Sequence, residues 1–187
     1  MKRLFIGIPI QSPKAFRMTE KWRAGNLFKR SVLKWSSPDN WHVTLIFLGS
    51  TPESAIPLLQ NLIENSFAAL PAFQTELCGV GVFPNSDHPK VLWLGIQDVS
   101  SLMASYSKLL ELLQENGFPL ENKPLKPHLT LGRIKNATNF SAFYSVINKF
   151  DKTNFGTVSI DKVILYESIS TSEGPVYKPL FVKGLNA

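Results

Sequence analysis

Two short segments of the chain repeat one pattern, and both are typical of β-strands. The first, HVTLIFLG, begins at His42, and the second, HLTLGR, begins at His128. Each continues from histidine through an apolar residue to threonine and leucine, and β-branched and aliphatic residues favour strands. Because side chains alternate across a strand, the histidine and threonine of each pair share one face. Two of the chain's 3 histidines lie in this setting, which we interpret as a duplicated site.

The two pairs, His42 with Thr44 and His128 with Thr130, suit acid–base chemistry at phosphorus. Imidazole titrates near neutral pH, so one ring can accept a proton while the other donates one. The entering and leaving oxygens of an in-line displacement lie on opposite sides of phosphorus, which matches histidines on two facing walls. Threonine hydroxyls can donate hydrogen bonds to the non-bridging oxygens. Arg133 can make a charge-assisted contact to phosphate, and is equally compatible with a solvated strand end.

Other interpretations of the histidines are weaker. A single His-x-Thr segment is usually a hydrogen-bonded polar pair at a sheet edge, and only its repetition favours a site. Two histidines without a third ligand in suitable spacing make a poor zinc site, so we expect no metal and no cofactor. The remaining histidine, His88, lies in the turn-like segment NSDHPK and is expected at the surface. The chain has neither a Gly-rich phosphate loop nor a G-x-S-x-G nucleophile elbow.

Helical and strand patterns are mixed along the chain without regular β-α-β alternation, which predicts an α+β fold. Four helices are predicted. The first is capped by Ser12 with Pro13 in its first turn, the second covers residues 51–70, and the fourth lies near Phe140–Phe150. The third covers residues 100–117, with Ser100 or Ser101 as its cap and Gly117 as its stop. The predicted strands are Leu4–Ile8, Val32–Trp35, Trp41–Gly49, Phe73–Val82, Val91–Ile96, Pro127–Arg133, Thr157–Ser168 and Val176–Lys183. No linker divides the chain, so residues 1–187 are expected to form one domain.

Charge and composition limit the class of protein. The formal net charge of +6 and the pI near 9.5 suit a polyanionic partner such as RNA, and equally suit ordinary solubility. The opening MKRLFIGIPI is interrupted by Gly7 and Pro9 and is interpreted as a strand rather than a signal peptide. No apolar run approaches the roughly 20 residues that cross a bilayer. Because Cys78 is the single cysteine, no intramolecular disulfide is possible, which fits a reducing compartment. We expect a cytoplasmic protein, a monomer, and no membrane partner.

The paired motifs give the sequence a resemblance to the two-histidine (2H) phosphoesterases, specifically to the RNA 2′,3′-cyclic phosphodiesterases, also called 2′-5′ RNA ligase-like proteins. The resemblance extends to RLFIGI, GVGVFPNSDHPKVLWLG, PHLTLGR and the closing LYES…EGPVYKPL, and so to nearly the whole chain. Lys90 departs from the family pattern, in which arginine is expected. Lysine keeps the charge there but loses the bidentate fork.

What the resemblance implies is a bilobal α+β fold, with two pseudo-twofold-related lobes of antiparallel or mixed sheet, helices outside and a central cleft. It also implies metal-free hydrolysis of a terminal 2′,3′-cyclic phosphate on RNA to a 2′-phosphate. His42 would be the proton donor and His128 the proton acceptor, and the same residues would serve 2′-5′ ligation if it occurs. The alternatives are another cyclic nucleotide or a 2′-5′ oligonucleotide as substrate, and a non-catalytic RNA-binding module.

Four aromatic residues are candidates for stacking on nucleobases. Such stacking contributes about 1–3 kcal/mol of binding free energy per base. They are Trp35, Trp41, Phe83 and Trp93. Trp93 is expected in the hydrophobic core instead, by ordinary burial tendencies. We assign none of the four to the site.

Overall fold

A computed structural model describes residues 1–25, 33–84, 89–120, 124–135 and 141–186 of the chain. The described strands are β1 (Lys2–Pro9), β2 (Leu33–Trp35), β3 (His42–Thr51), β4 (Phe73–Phe83), β5 (Val91–Ile96), β6 (His128–Ile134), β7 (Asn154–Ile160), β8 (Lys162–Ser170) and β9 (Pro175–Gly184). The described helices are α1 (Pro13–Ala24), α2 (Ile56–Phe67), α3 (Ser100–Glu115) and α4 (Ser141–Phe150). The predicted α+β class is confirmed.

The strands form one 9-stranded sheet in the order β7-β4-β5-β6-β3-β1-β8-β9, with β2 paired to β6. Neighbouring strands run antiparallel throughout. The two motif strands, β3 and β6, lie side by side in the middle of the sheet. Within the described residues, the register between them is the single pair Val43 and Leu129. This pair divides the sheet into a β3 half, with β1, β8 and β9, and a β6 half, with β5, β4, β7 and β2.

The two halves repeat one arrangement of elements. In the β3 half, β1 and β3 are antiparallel neighbours with α1 between them in the chain. In the β6 half, β5 and β6 are antiparallel neighbours with α3 between them. The two histidine motifs therefore occupy equivalent positions in the two halves, as the resemblance implied.

Alternation along the motif strands separates a core face from a polar face. Val43 and Leu129 are 2% and 0% exposed and belong to a buried cluster that also includes apolar side chains of α1, α2 and α3. Because neighbouring residues of a strand point to opposite faces, the histidines beside them face away from this cluster. His42 and His128 are accordingly half-buried. The face that carries them is called the catalytic face below.

The prediction of one strand over Thr157–Ser168 was wrong. The segment contains the end of β7 and most of β8, which are separated at Asp161. β7 pairs with β4 at one edge of the sheet, whereas β8 pairs with β1 in the other half. The chain must therefore leave one half and enter the other here, and apolar content alone does not reveal such a crossing.

Two helix starts were also predicted wrongly. Neither Ser100 nor Ser101 caps α3, because its N-cap residue is Val99, which has no capping hydrogen bond. Asp98 lies one residue earlier, and its Oδ1 accepts hydrogen bonds from the backbone N–H and the hydroxyl of Ser100 at 3.1 and 2.6 Å. The helix predicted over residues 51–70 is shorter, since β3 continues to its first residue and a 3₁₀ turn, Glu53–Ala55, precedes α2.

Other helix boundaries were predicted correctly. The Ser12 hydroxyl accepts a hydrogen bond from the backbone N–H of Ala15 at 3.2 Å, and Pro13 is the first residue of α1. Gly117 follows the end of α3 with a φ of 77°, a left-handed conformation that glycine adopts without strain. The predictions for Val32, His88 and Phe140 fall outside the described residues.

Candidate active site

The central register brings both predicted His–Thr pairs to one place on the catalytic face. Val43 of β3 is opposite Leu129 of β6 in an antiparallel pair. His42 and Thr44 flank Val43, and His128 and Thr130 flank Leu129, so all four side chains lie beside this pair on the face opposite the core. The two imidazoles are close enough for the positive charge of His128 to lower the pKa of His42. The structure thus assembles the four side chains that the sequence repeat singled out.

Both imidazoles are held by a main-chain carbonyl two residues earlier in the chain. His42 Nδ1 is 2.6 Å from the Asn40 carbonyl oxygen, and His128 Nδ1 is 2.6 Å from the Lys126 carbonyl oxygen. A carbonyl oxygen can only accept, so each Nδ1 carries a hydrogen and donates it. In a neutral ring Nε2 is then the nitrogen with the free lone pair, and in a charged ring Nε2–H is a second donor. Either histidine can therefore act as acid or base through Nε2.

The environment makes both histidines harder to protonate than a histidine in water. Burial lowers the pKa of His42 below its usual value, the hydrogen bond to Asn40 opposes this shift, and the positive charge of His128 adds to it. Burial also lowers the pKa of His128, against the hydrogen bond to Lys126. The positive charge of His128 thus disfavours protonation of His42. The pair favours a state with fewer than two protons, which an acid and a base acting together require.

Aromatic rings surround His42 and account for its burial. The imidazole centroid is 4.9 Å from the Phe5 ring, 5.0 Å from the edge-on Tyr177 ring and 6.3 Å from the Tyr166 ring. Phe5 is itself 3% exposed and is stacked on Tyr166 with centroids 4.9 Å apart. Burial raises the pKa of Tyr166 to about 12, so its hydroxyl stays neutral at physiological pH. These rings exclude water from one side of His42.

A smaller aromatic group lies against His128. The Phe83 ring is edge-on to the imidazole with centroids 4.8 Å apart, and the Trp93 centroid is 6.3 Å from it. Trp93 is half-buried on the catalytic face, so the expectation that it belongs to the core was wrong. A Cβ on Gly81 would overlap the Trp93 indole, so the glycine leaves the space that this ring occupies.

A register shift brings Arg133 to the catalytic face. In a regular strand Arg133, five positions after His128, would point to the core. β5 and β6 shift register between Leu92 and Trp93, so that Trp93 is opposite Thr130 while Val91 is opposite Arg133. The extra residue on β6 reverses the alternation, as a β-bulge does. Arg133 is accordingly exposed, on the same face as His128 and Thr130.

The equivalent shift in the other half exposes an aromatic ring. β1 and β3 shift register between Ile6 and Gly7, after which Phe5 is opposite Phe47. Phe47 therefore follows Thr44 by the same three positions that separate Arg133 from Thr130. It is 64% exposed, with its centroid 6.3 Å from that of Phe5. The repeat thus carries arginine in one half and phenylalanine in the other.

The β8–β9 hairpin contributes Tyr177 and is tied to the motif strand. The Asn40 side chain donates from Nδ2 to the Pro175 carbonyl oxygen at 2.9 Å. Asn40 therefore binds His42 through its carbonyl and the hairpin through its amide. Burial raises the pKa of Tyr177, while the positive charges of Arg133 and Arg3 lower it, so both guanidinium groups act on the Tyr177 hydroxyl.

Sequence reasoning missed Phe5, Phe47, Tyr166 and Tyr177. The matched spacing of Phe47 and Arg133 after the two threonines was a usable signal in the sequence. The others come to the site through the pairing of β1 with β8 and of β8 with β9, for which the sequence carries no local pattern. Of the aromatics considered earlier, Trp41 is buried in the core at 5% exposure.

The described part of the chain contains no group of three or more His, Cys, Asp or Glu side chains arranged to hold a metal ion. No helix within the described ranges is long and apolar enough to cross a membrane. Lys90, where the family pattern expects arginine, is exposed just before β5, and its carbonyl accepts the Ile134 N–H at 2.8 Å.

Comparison with known proteins agrees with this geometry. A model of the family described as the 2′-5′ RNA ligase superfamily matches residues 11–170. The chain is 31% identical over 180 residues to the RNA 2′,3′-cyclic phosphodiesterase of Archaeoglobus fulgidus, covering 96% of this chain and 98% of that one. It is 32% identical over 183 residues to the protein of the same name from Thermotoga maritima, covering 96% and 93%. The crystal structure of TT0787 of Thermus thermophilus matches with a TM-score of 0.78 at 27% identity, covering 98% and 97%.

Proposed function

Because the chain belongs to the 2′-5′ RNA ligase superfamily, we propose that it is an RNA 2′,3′-cyclic phosphodiesterase. It hydrolyses a terminal 2′,3′-cyclic phosphate to a 2′-phosphate and a free 3′-hydroxyl. The observation that carries the proposal is the pair of imidazoles on adjacent strands, each bonded through Nδ1 to a main-chain carbonyl. This arrangement leaves two Nε2 atoms for proton transfer. The names of relatives aligned over nearly the whole chain support the substrate.

The reaction proceeds by in-line displacement at phosphorus. Nε2 of His128 removes a proton from water as its oxygen forms a bond to phosphorus. Nε2–H of His42 donates a proton to the departing O3′ as the P–O3′ bond breaks, and the P–O2′ bond remains. One proton enters the histidine pair and one leaves it, so hydrolysis consumes one water. General acid and general base catalysis contribute roughly 10²–10⁴-fold each.

The geometry alone does not distinguish the two histidines, because each Nδ1 donates to a main-chain carbonyl and each Nε2 is left for proton transfer. The positive charge of His128 lowers the pKa of His42, which disfavours the form with both rings charged. The roles of His42 as donor and His128 as acceptor follow from the positions of the two motifs in the family.

The remaining side chains of the catalytic face bind different parts of the substrate. Thr44 and Thr130 donate hydrogen bonds to the non-bridging phosphate oxygens, where charge accumulates. Arg133 adds a charge-assisted, bidentate contact to the same group. Phe47 offers an exposed ring for stacking on the terminal nucleobase. Arginine and phenylalanine at equivalent positions thus separate recognition of the phosphate from recognition of the base.

A non-catalytic RNA-binding module is the alternative from another class, and the structure gives a reason to prefer the enzyme. Binding of phosphate requires cationic donors, yet burial lowers the pKa of both histidines and so disfavours their charged forms. An environment built for binding would instead raise these pKa values.

We further propose that the enzyme is cytoplasmic and monomeric. The related reaction is 2′-5′ ligation, in which a 5′-hydroxyl replaces water.

The proposal is tested with purified protein, in EDTA, on a short RNA that ends in a 2′,3′-cyclic phosphate. We expect conversion to a product that phosphatase can dephosphorylate and whose mass is increased by one water. A 3′-phosphate product, identified by comparison with authentic 2′- and 3′-phosphate ends, or activity that EDTA abolishes and zinc restores, would contradict the mechanism. No conversion of this RNA alongside turnover of a 2′-5′ oligonucleotide or another cyclic nucleotide would retain the two-histidine chemistry and change the substrate.

A further inference from the structure

Basic side chains continue the phosphate-binding side of the site beyond Arg133. Lys34 of β2 is directly opposite Arg133 in the antiparallel β2–β6 pair, so their side chains share the catalytic face. Both are exposed. The Lys34 ammonium also lies next to the tip of the β8–β9 hairpin, since Nζ is 3.6 Å from the position of a Cβ on Gly174. Lys34 therefore lies where β2 and the hairpin meet.

Arg3 adds a further positive charge near the hairpin. It is an exposed residue of β1, two positions before the Phe5 ring that packs on His42. Its charge acts on the Tyr177 hydroxyl together with that of Arg133. Tyr177 is edge-on to His42, so the positive charges of Arg3 and Arg133 both act on the residue whose ring covers one histidine.

Within the described residues, these three cations have no carboxylate partner, in contrast to the paired Lys2, Arg23 and Lys183. Lys2 is paired with Glu167 at 2.9 Å, Arg23 with Glu20 at 2.7 Å and Lys183 with Glu64 at 2.7 Å. No ion pair joins Arg3, Lys34 or Arg133 to a carboxylate of the described part of the chain. Uncompensated positive charges grouped on one face of a protein attract a polyanion.

We propose that Lys34 and Arg3 form a subsite for the phosphodiester groups of the RNA that precede the terminal nucleotide. The inference rests on the proposed function, since it takes Arg133 as the contact to the terminal cyclic phosphate. It makes the substrate an oligonucleotide end rather than a cyclic mononucleotide. Such contacts are indifferent to base sequence, because phosphate contacts fix position and carry no sequence information.

The test uses two readouts with one set of proteins. Binding of a fluorescein-labelled tetranucleotide with a terminal 2′-phosphate is followed by anisotropy across a range of salt concentrations. Hydrolysis is followed as kcat/KM for the same tetranucleotide with a 2′,3′-cyclic end and for adenosine 2′,3′-cyclic phosphate. The variants are Lys34→Gln and Arg3→Gln. Lys108→Gln is the control, since it removes the same charge from α3, where the ammonium bonds to the Asn65 carbonyl at 2.8 Å.

We expect each subsite variant to weaken tetranucleotide binding by about fivefold, as for an exposed ionic contact. Each should also reduce the slope of log affinity against log salt by about 0.7, the value for one phosphate of a single strand. kcat/KM for the tetranucleotide should fall by the same factor, whereas kcat/KM for the mononucleotide should stay within about twofold, because the catalytic groups are untouched. Lys108→Gln should change none of these quantities.

Three results would overturn the subsite. They are equal loss in Lys108→Gln, equal loss of kcat/KM on both substrates, and a wild-type protein that turns over the mononucleotide as efficiently as the tetranucleotide at low salt. Failure of the proposed function looks different. In that case neither substrate is hydrolysed, and the anisotropy measurement alone decides, with a reduced salt slope in the two variants supporting the subsite and an unchanged slope refuting it.

Discussion

Asn40→Ala should separate the two functions that this residue combines. The substitution keeps the carbonyl that accepts the His42 Nδ1–H but removes the amide that donates to Pro175 at 2.9 Å. The β8–β9 hairpin then loses a tether two residues before Tyr177, whose ring covers His42 at 5.0 Å. The expected consequence is greater access of water to His42, with its tautomer unchanged.

The size of the effect follows from the bond that is lost. A hydrogen bond of this kind contributes about 0.5–1.5 kcal/mol net. If that free energy reports how firmly Tyr177 is held, kcat/KM falls by about twofold to tenfold. Burial is the largest cause of the lowered His42 pKa, so partial exposure to water should raise this pKa toward its usual value. The limb of the pH–rate profile that reports His42 should therefore move to higher pH.

The assay is the pH dependence of kcat/KM on the cyclic RNA end, combined with a histidine titration by NMR. Asn116→Ala is the matched control, because its Nδ2 donates to the Leu112 carbonyl at 2.8 Å at the end of α3, on an element without catalytic residues. It loses an equivalent bond and should change stability alone. If the kinetics and the titration of Asn40→Ala coincide with those of Asn116→Ala, the tether has no role at the site.

Other predictions concern the histidines, their titration and the packing around them. His42→Ala and His128→Ala should each lower turnover by at least about 10²-fold with an unchanged circular dichroism spectrum; retained activity in either variant would exclude it as acid or base. Since both histidine pKa values are lowered from 6.5, the acid loses its proton as pH rises past its lowered pKa, and kcat/KM for a cyclic mononucleotide should be maximal below pH 6.5 and decline above it. A plateau that extends well above neutrality would contradict this. Gly81→Ala should destabilise the fold by about 1–3 kcal/mol in thermal unfolding because its Cβ would displace the Trp93 ring. Gly184→Ala, where a Cβ meets no atom within 4 Å, should leave the melting temperature nearly unchanged.

The sequence was sufficient to single out the two His–Thr pairs because their signal is local and repeated. Strand alternation places a histidine and the threonine two positions later on one face in any register. The chemistry expected of the histidines predicted that they lie near each other on facing walls, whereas the Val43–Leu129 pair shows that their strands are neighbours in one sheet. The side of the sheet on which Arg133 lies was not predictable, because alternation gives the core face and a bulge reverses it.

The aromatic environment of His42 could not be predicted from the sequence, for a different reason. Phe5 lies near the start of the chain and Tyr177 near its end, and they meet because β1 and β9 both flank β8. No periodicity within either segment encodes that order of strands. The false continuous strand over Thr157–Ser168 has the same origin, since the position of Asp161 between the two halves depends on long-range pairing. Local sequence patterns predicted the individual strands and helices. The aromatic residues around the histidines are instead brought together by strand pairing between distant parts of the chain.

The main-chain carbonyls that hold the two imidazoles have a consequence for evolution. A tautomer that depends on a neighbouring carboxylate can be lost in one substitution, whereas every amino acid supplies the carbonyl at positions 40 and 126. The tautomer of each imidazole therefore depends on the backbone conformation and not on the side chain at position 40 or 126. At position 40 the side chain has a separate role, because its amide donates to the Pro175 carbonyl of the hairpin. Substitutions of side chains around the two histidines can therefore change the substrate while the tautomer of each imidazole is preserved.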